Sequence, residues 1–137
     1  ETLIVFPEGA RGISKTFDQR YQMTEFGLGF MRLALETKTP IVPVAVVGAE
    51  EQYPSIADAK PLAKLLGMPS FPVIPQLFFG MLLPLPTKYH LYFGEPMHFE
   101  GDPDDDDAGV EEKGARVKGR IDRMLRAGLA ARKSIFT

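Results

Sequence analysis

Apolar and polar positions along this chain follow several distinct rhythms, and each predicts an element. Residues 3–6 (Leu-Ile-Val-Phe) are continuously apolar and stop at Pro7, which predicts a short buried strand. Residues 7–22 are polar and irregular and read as a loop. Met23, Phe26, Phe30, Leu33 and Ala34 recur at helical spacing, so an amphipathic helix is predicted over about 24–37, with Thr24 as its cap and Pro40 barring its continuation. Gly27 and Gly29 in its first turn either expose amides to an anion or allow close helix packing. Residues 41–47 are a second strand, apolar throughout apart from Pro43. A fully apolar strand suggests a sheet covered on both faces, while a proline pushes a strand toward an edge or a bulge. Residues 88–93 alternate like a third strand, and Val110, Val117, Ile121, Met124 and Leu125 make one stripe of a helix over 108–133. The order strand, loop, helix, strand implies a right-handed crossover. The expected fold class is therefore α/β, a partly parallel mixed sheet flanked by helices.

Composition narrows this little. A chain of 137 residues with 45% hydrophobic content forms one domain, or most of one, with a sufficient core. A net charge of −2 gives no global attraction to nucleic acid, and zero cysteines exclude disulfides and thiolate metal sites.

Candidate chemistry concentrates where the first apolar run ends. Phe6-Pro7-Glu8-Gly9-Ala10-Arg11-Gly12 joins a strand to a turn holding one carboxylate, two glycines and an arginine. Glycines let backbone approach a ligand, and Arg11 offers a planar fork of donors for phosphate or carboxylate. The plainer alternative is mutual neutralisation of Glu8 and Arg11. The run from Gly9 to Thr16 approximates a phosphate-binding loop, but its glycines are three apart, Ser14 precedes Lys15, and no magnesium-holding strand end follows. His90 sits in the strand pattern and reads as a strand-surface residue; His98 reads as a loop residue. Residues 102–107 (Asp-Pro-Asp-Asp-Asp-Asp) read as a solvated acidic linker that also puts negative charge at the start of the last helix. Residues 71–86 are very apolar but hold four prolines, so they are either an irregular covering segment or a greasy surface for a bilayer or acyl chain. Lys113, Arg116, Lys118, Arg120, Arg123, Arg126, Arg132 and Lys133 make the last helix basic, either simply solvated or lying on an anionic membrane.

Phe6-Pro7-Glu8-Gly9-Ala10-Arg11 resembles the Phe-Pro-Glu-Gly-Thr-Arg motif of the glycerolipid and lysophospholipid acyltransferase family. Gly29 with Arg32-Leu33-Ala34-Leu35-Glu36, then Ile41-Val42-Pro43-Val44-Ala45-Val46, then Phe93-Gly94-Glu95-Pro96 resemble later family motifs in the same order. Gly48-Ala49-Glu50-Glu51 and the proline-rich stretch after it resemble the monoacylglycerol and diacylglycerol acyltransferase-like branch. Ala10 and Gly12 stand where the family has Thr and Ser, which removes two hydroxyl contacts to the acceptor.

The resemblance implies a membrane-associated O-acyltransferase on the cytoplasmic face, moving a fatty acyl group from acyl-CoA or acyl carrier protein to a glycerolipid hydroxyl in phospholipid or neutral glycerolipid synthesis. It implies Glu8, Gly9, Arg11 and Lys15 on the acceptor side and Pro43 on the acyl-donor side. No cofactor, metal or nucleic acid is implied. The family's catalytic His-x4-Asp is expected upstream of Phe6, with residues 1–100 the C-terminal part of the acyltransferase domain, 101–107 a linker and 108–137 a basic helix packing on the domain. Residues 1–137 alone are then expected to be inactive. The alternative is a non-catalytic lipid- or anion-binding accessory module.

Overall fold

The computed structural model describes residues 2–9, 12, 15–55, 57–67, 72–74 and 84–134. In chain order these form α1 (Gly29–Thr37), β1 (Val44–Val47), β2 (Ala57–Asp58), α2 (Lys60–Leu65), β3 (Pro72–Val73), β4 (His90–Phe93) and α3 (Asp107–Ala131).

The chain is α/β, but among the described residues its sheets are antiparallel rather than partly parallel. β1 pairs with β4, Val44 opposite Phe93 and Val47 opposite His90, and β2 pairs with β3. A parallel neighbour for β1 would have to be the apolar run at 3–6. That run joins no ladder among the described residues, and Leu3, Ile4, Val5 and Phe6 are exposed instead of buried. Apolar sequence alone does not bury a strand; it needs a neighbour to supply hydrogen bonds and cover.

Pro43 acts as the rules for proline predict. The β1–β4 ladder stops at Val44, and pairing resumes at Ile41 opposite Met97. Residues 94–96 on one side thus face only 42–43 on the other, which is a bulge. Pro43 still contributes its carbonyl, which accepts from the Gly94 N–H at 2.8 Å.

One face of the sheet is covered. Ala45 and Val47 pack against Leu125 of α3, with Ile121 and Met124 partly buried beside them. Ile121 also borders the second apolar cluster, where Met31 and Leu35 of α1 meet Val110 and Val117 of α3. The stripe read for the last helix is therefore its packing face. Two glycines complete that face: Gly114 lies under the Phe30 ring, and a Cβ on Gly128 would come within 2.5 Å of the Tyr92 ring. The other face of the sheet, with Val44, Leu91 and Phe93, is exposed, so the expected cover on both faces is absent among the described residues.

Helix α1 starts at Gly29, later than its periodicity suggested, and Thr24 does not cap it. The Thr24 N–H donates to Glu8 at 2.6 Å, and the Gly27 N–H donates to the Pro7 carbonyl at 2.9 Å. These bonds hold residues 24–27 against the turn that follows Phe6, so the helix begins only after them. It ends at Lys38, whose left-handed φ of 52° turns its N–H back to the Ala34 and Leu35 carbonyls.

Candidate functional site

The turn after Phe6 closes through Gly9, whose N–H reaches the Phe6 carbonyl at 3.0 Å. Gly9 takes φ 57°, a conformation that favours glycine. Glu8 points beneath the loop rather than outward. Its carboxylate accepts from the Thr24 N–H and from Lys15 Nζ at 2.9 and 3.3 Å. A Cβ on Gly12 would lie 2.7 Å from Glu8 Oε2, so the residue that departs from the family's serine leaves room for the anchored carboxylate. Lys15 also lies 3.8 Å from Glu50 Oε1 and so sits between two carboxylates.

Of the residues expected on the acceptor side, Glu8, Gly9 and Lys15 come together in this loop, and Arg11 lies outside the described residues. Pro43, expected on the donor side, is fully buried at the bulge, where its ring and the Met124 sulfur crowd Gly94. Residues 71–86 are described only at 72–74 and 84–86; Ile74 is buried and Leu85 exposed. His98 is exposed. His90 lies in β4, half-buried on the helix side of the sheet rather than fully exposed, and its Nδ1 has no partner among the described residues.

A second set of groups escaped the sequence reading. Tyr21 adopts a left-handed φ of 60°, uncommon for a bulky residue. Its N–H donates to Glu50 Oε2 and its hydroxyl to Glu51 Oε2, while the hydroxyl accepts from the Gly48 N–H at 2.8 Å. Arg132, which ends α3, donates to both Glu51 oxygens at 2.7 and 3.1 Å. Burial alone would raise the Glu51 pKa, but the Arg132 and Tyr21 hydrogen bonds hold it below the ordinary carboxylate value. The Glu51 carboxylate in turn raises Arg132. Burial, followed by the bond to Glu51, pushes the Tyr21 hydroxyl up to about 12. Burial also raises Glu50, against the opposing pull of the Tyr21 N–H and Lys15. A glycine ending a strand before paired carboxylates was the one sequence hint; nothing near Arg132 pointed to it.

The acidic run is tied to the fold through Arg32, which donates to the Pro103 and Asp105 carbonyls and to Asp107 Oδ1. Asp106 caps α3 by accepting from the Gly109 N–H at 3.1 Å. Several basic residues of α3 have partners within the chain: Arg116 lies over the Phe99 ring, Lys118 over Phe26, and Arg126 pairs with Asp122. Among the described residues no acidic or histidine cluster could hold a metal ion, and no helix is long and apolar enough to cross a membrane.

Residues 1–47, the stretch that carries this loop and α1, match the Acyltransferase family model. The match supports the general acyltransferase family. Uncharacterized proteins of Mycobacterium bovis and Mycobacterium tuberculosis are 41% identical to the chain over 143 residues, covering 99% of it and 40% of their own length. An uncharacterized protein of Mycobacterium leprae is 41% identical and covered over 39% of its length. The chain thus spans about two fifths of the curated relatives it matches. No solved structure matches it.

Proposed function

We propose that the protein takes part in O-acyl transfer at the cytoplasmic face of a membrane, from acyl-CoA or acyl carrier protein to a glycerolipid hydroxyl. The observation that carries this reading is the anchored Glu8 turn within the stretch that matches the Acyltransferase model. Glu8, held by Thr24 and Lys15, fixes the turn from below. Gly9 opens the backbone, and Arg11 supplies the cation for a phosphate or ester oxygen of the acceptor. Lys15, paired with Glu8 and Glu50, braces the base of the loop on the acceptor side, and Pro43 shapes the donor side. A His-x4-Asp pair elsewhere in the polypeptide acts as base: the histidine takes the hydroxyl proton, the alkoxide attacks the thioester carbonyl, and the thiol leaves with a proton. No cofactor enters.

The test is thiol release by the full-length protein from acyl-CoA in mixed micelles with and without a lysophospholipid or a monoacylglycerol. Acceptor-dependent release is expected, and Arg11→Ala should lower kcat/KM for a phosphate-bearing acceptor by about 10- to 100-fold, the worth of one charged hydrogen bond. Unchanged turnover removes Arg11 from the site.

The exposed Leu3, Ile4, Val5 and Phe6 favour a second reading, a lipid-binding accessory module. It predicts liposome binding without thiol release.

A further inference from the structure

We infer that Tyr21, Glu51 and Arg132 form a clasp through which the end of α3 positions the acceptor loop; the functional half of this inference rests on the acyltransferase reading above. Three distant parts of the chain converge here. The loop contributes Tyr21, the turn after β1 contributes Gly48, Glu50 and Glu51, and α3 contributes Arg132.

Tyr21 is gripped twice. Glu50 holds its backbone, and Glu51 holds its hydroxyl, which also serves the Gly48 N–H. That double grip over-determines its left-handed backbone, and such conformations persist where the surroundings impose them. Glu50 connects onward to Lys15, and Lys15 to Glu8. A displacement of the turn at residues 48–51 would therefore reach the Glu8 turn through two carboxylates and one ammonium.

Arg132 is what lets Glu51 play this part. The Glu51 side chain is 3% exposed and the Arg132 side chain 11%. A carboxylate so buried keeps its charge only with a partner, and the two-pronged guanidinium fixes its orientation as well as its charge. A purely structural role would be to stitch down the helix end. Yet α3 is already held along its length by Val110, Val117 and Leu125. What the clasp adds is contact with the loop.

The experiment compares Tyr21→Phe, Arg132→Gln and Arg132→Lys in the full-length protein by amide hydrogen exchange and by steady-state kinetics. Tyr21→Phe keeps the ring and the Glu51–Arg132 pair, so the fold persists while one tether is lost. Faster exchange is expected at residues 15–24 and 48–52, with the amides of residues 110–125 unchanged. The acceptor KM should rise about 5-fold in Tyr21→Phe, the worth of one hydrogen bond, and further in Arg132→Gln. Donor KM and kcat should hold, and Arg132→Lys should restore part of the loss. Exchange that is unchanged, or raised uniformly, overturns the clasp. Local loosening with an unchanged acceptor KM in an active protein overturns its positioning role alone. A wild type without acyl transfer overturns the parent reading and the positioning role with it.

Discussion

Arg132 and Glu51 stand 81 positions apart in the chain and meet through hydrogen bonds of 2.7 and 3.1 Å. Because Glu51 is buried and Arg132 largely covered, removing one partner is far worse than removing both. Arg132→Met strands a buried carboxylate and should destabilise the fold by about 3–5 kcal/mol, whereas Arg132→Met with Glu51→Leu should recover much of that loss. Urea unfolding of the two single variants and the double variant checks this. Additive losses would mean the pair is screened by water.

The adjacent carboxylates predict opposite pH behaviour. Glu51 has a depressed pKa in the fold, so its stabilising contribution is present above the ordinary carboxylate value and is lost as pH falls through its lowered one. Glu50 has a raised pKa, so the contribution of its protonated form is full below the ordinary value and is lost as pH rises through the raised one. Glu51→Gln should therefore flatten the acid limb of the stability curve. Glu50→Gln should instead reduce the decline from acid toward neutral pH. Urea midpoints between about pH 3 and about pH 7, the range spanning carboxylate titration, separate the two.

Two glycines should refuse a methyl group for different reasons. Gly48 has φ 108°, and a Cβ there would overlap the Lys88 carbonyl, which is backbone and cannot step aside. Gly48→Ala should lose on the order of 3 kcal/mol, combining strain with a broken strand end. At Gly128 the obstacle is the Tyr92 ring, so Gly128→Ala should be relieved by Tyr92→Leu in the same chain. Thermal unfolding of the three variants shows whether that rescue occurs.

These glycines also mark what a linear reading misses. The stripe of Val110, Val117 and Leu125 announced the packing face of α3 because hydrophobicity carries its own signal. Gly114 and Gly128 lie on the same face and carry none, since their part is to leave space for rings from other elements. Pro43 announced a bulge because its missing N–H is local chemistry. The run at 3–6 read as buried, but burial depends on a neighbour that its own residues do not specify. The start of α1 was misplaced because Thr24 is drawn off by Glu8, 16 positions earlier. In the candidate site the Glu8 turn was visible as a motif. The Tyr21, Glu51 and Arg132 grouping was not, because only folding brings those positions together.

The exposed face of the β1–β4 sheet supports a last prediction. Leu91 and Phe93 are 57% and 71% exposed, while the residues that alternate with them, His90 and Tyr92, turn toward the helix side. An apolar face left open gives little stability and invites association. Replacing both with threonine keeps strand propensity and removes the greasy surface. In the 137-residue chain, Leu91→Thr with Phe93→Thr should change unfolding free energy by no more than about 1 kcal/mol, two surface substitutions' worth. Concentration-dependent self-association, read by sedimentation velocity, should fall. A loss well above 2 kcal/mol would show that this face is packed in solution, since that is the scale of burying such side chains.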